Sequence, residues 1–308
     1  MSISIRFSGF WKNSQQIENS FFKPLVEIVY DSSVVIEKDP TTMVDLEIFS
    51  VFPSKRKISS RFLNRFSKFT RETSLIMKGE VYSKSRKRIW YSGENKRAPL
   101  GNQFDVYLGY EPEEFSQQIH YLPLWVLGFD HFGKGIGHGF TSLVPNQDKL
   151  LTSRKYKPVK DKGFCCAFLG NPTSFRLGIL RSLAKIENVG MYGNAFGNPV
   201  LDKLDIAEQY KFAFCFENNL YPGYVTEKLL EAYLVNCIPL YWGIDSSQYF
   251  NSHAFINLNE FDNIDKFIEK VAKVYQSEEE YVHIYEQPLL AKKFDMDLLI
   301  TKLRNNLL

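Results

Sequence analysis

Apolar and polar positions along this chain follow two periods, and the switches between them mark out the elements. Ile3, Ile5 and Phe7 alternate with polar neighbours from Ser2 to Ser8, a period of two that predicts a first strand. Ile17, Phe21, Phe22 and Leu25 then give an apolar helical face, with Ser14 placed to cap it. Val34 to Ile36, Val44 to Phe52, Arg88 to Tyr91 and Phe104 to Gly109 read as further strands, and Lys57 to Phe69 as a basic amphipathic helix. In the second half the apolar runs of strand length are Phe164 to Leu169, Val189 to Met191, Lys211 to Phe216, Ile238 to Trp242 and Ala254 to Leu258. Helices are predicted from about Ser174, where Leu177, Ile179, Leu180 and Leu183 recur, and from Val225 to Asn236, on Val225, Leu229, Ala232 and Val235. Three more are predicted over Asp262 to Val274, Ser277 to Tyr285 and Met296 to Leu307. Strands alternating with helices predict parallel sheets made of βαβ units, so the expected fold class is α/β with doubly wound sheets.

The 308 residues suffice for two domains of roughly 150 residues each. Val144 to Gly163 is polar, contains Pro145 and Pro158 and has no helical period, and is read as the connection. The expected division is residues 1–150, then 151–285, then a terminal segment 286–308.

Composition narrows the class. No stretch reaches the roughly 18 consecutive apolar residues of a membrane span, and MSISIRFSGFWKN lacks the basic-then-apolar order of a signal peptide. A cytosolic start is expected. The net charge of +3, from 38 basic and 35 acidic residues, is too small to imply a nucleic-acid partner. Lys55-Arg56-Lys57 and Lys84 to Arg88 are local basic clusters, read either as solvated surface or as attraction to an anionic membrane or glycolipid. Cys165, Cys166, Cys215 and Cys237 lie in apolar surroundings without a CxxC pair, as reduced, buried thiols do. The histidines are scattered, with His131 and His138 in one glycine-rich segment from Gly128 to Gly139, and no zinc site is indicated. That segment reads as a loop, without the GxGxxG that follows a strand in a phosphate cradle.

The stretch that organises the rest is KFAFCFENNLYPGYVTEKLLEAYLVNCIPLYWG, Lys211 to Gly243. It reads as strand, loop, helix, parallel strand, with Tyr221-Pro222-Gly223 supplying the turn. Ligands of open α/β sheets sit beyond the carboxyl ends of the strands. Glu217, Asn218, Asn219, Tyr224, Thr226, Glu227 and Lys228 crowd that end. A cation in a first helical turn opposes the macrodipole, so Lys228 implies a bound anion, unless it pairs with Glu231 or points into water. Arg176 falls in the first turn of the Ser174 helix, and two such cations would converge on one polyanion, a diphosphate. Glu94, in Ser92-Gly93-Glu94-Asn95 just past a strand, sits where a catalytic base would, or else is a solvated or capping residue.

Phe216-Glu217-Asn218, Tyr224-Val225-Thr226-Glu227-Lys228 and Ile238 to Gly243, in this order and spacing, resemble the α-1,3/4-fucosyltransferases that use GDP-fucose, above all the bacterial members. The resemblance extends to Tyr91 to Asn95, Phe104-Asp105 with Leu108-Gly109-Tyr110, Leu122-Pro123-Leu124, and Asn171-Pro172 before Arg176, covering the chain from about Trp90 to about Leu290. It implies two Rossmann-like domains facing a cleft (GT-B type), an acceptor domain followed by a GDP-fucose domain, with the terminal helix packing back across the junction. It implies an inverting transfer of L-fucose from GDP-β-L-fucose to the 3- or 4-hydroxyl of GlcNAc or Glc in an oligosaccharide or glycolipid of the Lewis-antigen type. Another GDP-sugar transferase, or a silent glycan- or nucleotide-binding protein, are the alternatives. The roles implied are Glu94 as base and Arg176 and Lys228 on the diphosphate. Glu227 would take the ribose, Asn218 and Tyr224 would line the pocket, and Glu217 would face charge developing on the sugar; the alternative for both glutamates is an ion pair with Arg176 or Lys228. Trp11 would stack on the acceptor or lie in the core. No metal is required on this account, since two cations take its place, though divalent stimulation through the diphosphate is left open. Asp295-Met296-Asp297 follows no strand of the donor domain and is read as a helix cap. Some relatives continue into heptad repeats and a basic tail that this sequence, read to Leu308, does not show, which argues against membrane attachment or coiled-coil dimerisation by that route; the expected location is cytoplasmic, with at most peripheral association at the inner membrane. Asn219 and Leu220 stand where many relatives have a serine and a smaller residue, so the pocket rim is expected to differ.

Overall fold

The computed structural model describes residues 2–10, 14–52, 84–97, 99, 103–111, 118–134, 146–158, 161–170, 172–246 and 248–308. Trp11, the Lys57 to Phe69 helix, the Lys55-Arg56-Lys57 cluster, Asn171, His138 and the last glycines of the Gly128 to Gly139 segment lie outside the described residues. Two compact units result, Met1–Gly139 with Asp295–Leu308, and Phe140–Phe294.

In the first unit β1 (Ser2–Ser8) leads into α1 (Gln15–Ile17), a π-helical turn (Glu18–Phe22) and α2 (Lys23–Tyr30). The apolar stripe expected there is buried, with Ile17, Phe21, Phe22 and Leu25 at most 2% exposed. Then come β2 (Ser33–Ile36), β3 (Val44–Phe49), β4 (Ser85–Tyr91), β5 (Val106–Gly109) and β6 (Ile119–Tyr121). All pair in parallel in the order β2-β1-β3-β4-β5-β6. β6 has no period to betray it, being three residues with a histidine in the middle. His131, the described histidine of the glycine-rich segment, packs its ring on Phe21, Phe129 and Phe132 and bonds through Nε2 to the Val126 carbonyl at 2.9 Å. Burial holds its pKa below the ordinary value, as for a core histidine.

The C-terminal helix, Met296–Leu307, belongs to this unit. Asp295 caps it by accepting from the Leu298 N–H at 2.9 Å, and Leu299 and Leu303 face inward. Arg304 donates to the carbonyls of Ile28 and Val29, which end α2, a favourable place for a cation.

The second unit runs β7 (Gly163–Phe168), α3 (Ser174–Leu183), β8 (Val189–Tyr192), α4 (Lys203–Ala207), β9 (Tyr210–Phe216), α5 (Lys228–Leu234), β10 (Ile238–Trp242), β11 (Ile256–Asn257), α6 (Ile264–Gln276) and α7 (Glu278–Tyr285). Its sheet is parallel, in the order β11-β10-β9-β7-β8. Phe164, Phe212, Phe216, Leu240, Phe267 and Val271 fill its core.

The division falls at 139/140 rather than 150/151. The described part of the expected connection is built into the second unit instead. Leu150 is 1% exposed and its carbonyl accepts from Leu290 N–H at 2.9 Å. Arg154 lies between the rings of Tyr233 and Tyr285, 3.9 and 3.8 Å from their centroids, and donates to the carbonyls of Tyr285, Tyr233 and Cys237 at 2.6, 2.6 and 3.0 Å. A polar segment without period is thus anchored through its backbone at Leu150 and through the Arg154 side chain.

Both sheets reverse direction once. β1 lies between β2 and β3, and β7 between β8 and β9, so successive crossovers leave on opposite sides of the first strand. That is where a doubly wound sheet opens a crevice at its carboxyl edge.

Candidate functional site

In the second unit the crevice between the ends of β7 and β9 opens into a cavity of about 380 Å³, in the range of small-molecule sites. Arg176, Lys203, Asn218, Glu227, Lys228 and Glu231 are its polar lining, and Leu169, Leu204, Ala207, Ala213, Phe214 and Ala232 are among its apolar walls.

Arg176 stands in the first turn of α3, whose N-cap Thr173 accepts from the Arg176 N–H at 3.3 Å. Arg176 as a whole is only 4% exposed. Its Nη2 donates to the Phe216 carbonyl at 3.0 Å, to Asn218 Oδ1 at 2.9 Å and to the Glu217 carbonyl. Arg176 therefore fastens the end of β9 while lining the cavity. Burial lowers its pKa from the usual arginine value, against the opposing pull of the Glu217 carboxylate.

Glu217 is fully buried. Its carboxylate accepts from the Thr226 N–H at 2.8 Å, from the Thr226 hydroxyl at 2.8 Å and from Lys228 Nζ at 3.0 Å. Burial raises its pKa, while the Lys228 charge pulls the other way. This network corrects the predicted start of α5. The turn at Gly223, with its φ of 79°, delivers Thr226 to Glu217, so Val225 and Thr226 remain outside the helix, which runs Lys228–Leu234 rather than Val225 to Asn236. At the far end Asn236 adopts a left-handed φ of 62°, and the helix is over.

Lys228 is the first residue of α5, and its ammonium bonds Glu217 and, at 2.7 Å, the Thr226 hydroxyl, with Glu227 at 3.8 Å. Burial alone would depress its pKa, but the Glu217 and Glu227 carboxylates outweigh it and hold the pKa above the ordinary lysine value. The anion that a cation in a first turn calls for is therefore built in. Glu231, the alternative partner in the sequence, instead pairs with Lys203 of α4 at 2.5 Å. With two of three ammonium donors on Glu217 and Thr226, the third can serve a ligand oxygen from the cavity wall.

The structure thus brings Arg176, Asn218, Glu227 and Lys228 together around one space. Glu217 and Tyr224, 0% and 2% exposed, lie buried outside the cavity lining. Glu94 belongs to the first unit, where it follows β4 partly exposed, and its carbonyl accepts from the Lys96 N–H at 2.6 Å. Lys203 and Glu231 were not singled out as lining. The available signal was Glu231 itself, a carboxylate one turn after Glu227 on an otherwise apolar helix face.

The four cysteines are unpaired and buried. Among the described residues no group of three or more His, Cys, Asp and Glu is placed to hold a metal ion. No helix among the described residues is long and apolar enough to cross a membrane.

Residues 160–288 match the model of the glycosyltransferase family 10 (fucosyltransferase) C-terminal domain. Alpha-(1,3)-fucosyltransferase FucT of Helicobacter pylori is 31% identical over 229 residues, 66% of this chain and 47% of that protein. The 4-galactosyl-N-acetylglucosaminide 3-alpha-L-fucosyltransferase 9 of Mus musculus is 31% identical over 125 residues, 38% of this chain and 35% of its own length. The chain spans about half the length, or less, of these curated relatives. The crystal structure of an alpha1,3-fucosyltransferase superposes with a TM-score of 0.70 at 22% identity, over 99% of this chain and 90% of that one, and a structure with GDP-fucose superposes with 0.68. The fold is the two-Rossmann GT-B fold. Residues 160–288 are thus a glycosyltransferase family 10 (fucosyltransferase) C-terminal domain by their match to that family's model.

Proposed function

We propose that the protein is an inverting α-1,3-fucosyltransferase, moving L-fucose from GDP-β-L-fucose to the 3-hydroxyl, or the 4-hydroxyl, of GlcNAc or Glc in a lactosamine-type glycan. The observation that carries this reading is the cavity at the β7/β9 switch point, where Arg176, Asn218, Glu227 and Lys228 of the family's own sequence run meet. The names of the relatives, α-1,3-fucosyltransferases of a bacterium and a mammal, support the reaction.

On this reading Arg176 and Lys228 take the diphosphate oxygens and Glu227 the ribose hydroxyls. The C–O bond from the anomeric carbon to the diphosphate breaks, a new C–O bond forms from the acceptor hydroxyl on the opposite face, and the hydroxyl proton passes to Glu94. Negative charge grows on departing GDP, so the two cations bind the transition state more tightly than the donor. They supply the positive charge a metal would bring, and divalent ions would act only through the diphosphate. Glu217 serves indirectly, by fixing Lys228 and Thr226. The product belongs to Lewis-type structures of a bacterial surface glycan such as lipopolysaccharide, made at the cytoplasmic side with at most peripheral membrane contact.

Thermal stabilisation tests the donor. GDP and GDP-fucose at about 100 times their dissociation constants should add about 2.7 kcal/mol, and UDP-galactose nothing. Transfer to N-acetyllactosamine then tests the reaction. Equal response to GDP-mannose together with mannosyl transfer would replace fucose by another GDP sugar, and donor binding without any transfer would leave a silent binding protein.

A further inference from the structure

One end of the cavity carries a pair that the diphosphate and ribose contacts do not use. Glu231 is 7% exposed and lines the cavity, yet among the described residues its Oε1 has no hydrogen-bond partner. Its Oε2 is held by Lys203 Nζ at 2.5 Å. A buried acceptor left bare costs free energy unless something fills it. Glu231 stands one helical turn from Glu227 on the same face, roughly 6 Å along, comparable to the reach from the ribose hydroxyls of a nucleoside to the pairing edge of its base. Ala207, Ala213 and Ala232 line the same cavity, and their small apolar side chains leave room for a planar base.

Resting on the GDP-sugar reading above, we infer that Glu231 and Lys203 form the guanine-specificity site: Glu231 Oε1 accepts from the 2-amino group, Oε2 from N1–H, and Lys203 donates to O6. The chemistry selects guanine among the common bases. Only guanine sets two adjacent donors beside a carbonyl acceptor. Adenine turns its N1 lone pair toward the carboxylate, and uracil offers a single N–H between two carbonyls.

The test is calorimetric titration of the full chain at pH 8, where Glu231 is a carboxylate, with GDP, IDP and ADP, in the wild type and in Glu231→Gln and Lys203→Met. IDP keeps N1–H and O6 but lacks the 2-amino group. The wild type should bind GDP about tenfold more tightly than IDP, and ADP more weakly still. Glu231→Gln should weaken GDP by roughly 10- to 100-fold and close the GDP–IDP gap. Lys203→Met, at a side chain 40% exposed, should weaken GDP and IDP alike while keeping their gap. Equal affinity for GDP and IDP in the wild type overturns the inference without any variant. GDP binding with an unchanged gap in Glu231→Gln overturns it and leaves the donor reading standing. No binding of any guanine nucleotide overturns both.

Discussion

Strand β4 of the first unit ends on Tyr91 and continues into Ser92-Gly93-Glu94-Asn95, while β9 of the second ends on Phe216 and continues into Glu217-Asn218. Each hands a glutamate to the carboxyl edge of a parallel sheet. Glu94 is partly exposed and Asn95 to Arg97 beside it are exposed. Glu217 is fully buried and accepts from Thr226 and Lys228, under a loop that Arg176 fastens from the other side. The same strand-to-loop step thus yields two kinds of carboxylate. One is partly exposed and, on the proposed reaction, is the group that takes a proton from an incoming hydroxyl. The other is locked as a counter-ion and cannot leave its lysine cheaply.

The sharpest way to break this contrast is at Glu94. Glu94→Gln should lower fucose transfer by about 10²- to 10⁴-fold, with thermal stability changed by no more than about 0.5 kcal/mol and GDP affinity unchanged. Normal turnover in that variant would remove Glu94 as the base. Lys228→Ala acts on the other kind of carboxylate, stranding Glu217 without its cation. A loss of about 3–5 kcal/mol in urea unfolding is expected, together with weakened GDP binding. Unchanged stability would mean that Thr226 alone sustains the buried charge.

Glu231 sharpens the comparison through pH. Burial, opposed by Lys203, pushes its pKa up to about 7, against an ordinary glutamate near 4.5. The folded state therefore holds a proton that the unfolded state has lost between those values. This contribution to stability is present in full below about pH 4.5 and disappears as pH rises through 7. Glu231→Gln lacks that slope, so its melting temperature relative to wild type should be higher at pH 8 than at pH 5. A pH-independent difference would place the carboxyl in water. The smallest effect is expected at Thr173. Thr173→Ala removes the cap of α3 and should cost about 1 kcal/mol, lowering the melting temperature with little change in turnover.

How much of this was legible in the sequence divides along the same line. β9, β10 and their loop were readable because a buried parallel strand is a continuous apolar run and the polar cluster after it has no other place to go. The cations in the first turns of α3 and α5 followed from periodicity alone. The start of α5 did not, because apolar spacing at Val225 favours helix while the Glu217 carboxylate captures the Thr226 N–H, a contact nine residues apart. The pairing of Lys228 with Glu217 rather than Glu231 is likewise tertiary, set by a loop that folds back over the strand end. β6 and β11, three and two residues long, are too short to display a period. The boundary near residue 140 was displaced because polar composition suggests a connection, and only the three-dimensional structure reveals the aromatic pair that receives Arg154.

That arginine has a consequence for the order of events in folding. Its three carbonyl partners lie 131, 79 and 83 positions away in sequence, on segments that must already be in place before its guanidinium finds two rings and three acceptors. Contacts with so high a loop-closure cost form after the rate-limiting step in a nucleation-type mechanism. Arg154 is therefore expected to close late, a prediction that refolding and unfolding rates check. Replacing it by lysine should leave the refolding rate nearly untouched while native molecules unfold faster, so that it governs how long the folded second unit lasts rather than how quickly it is made.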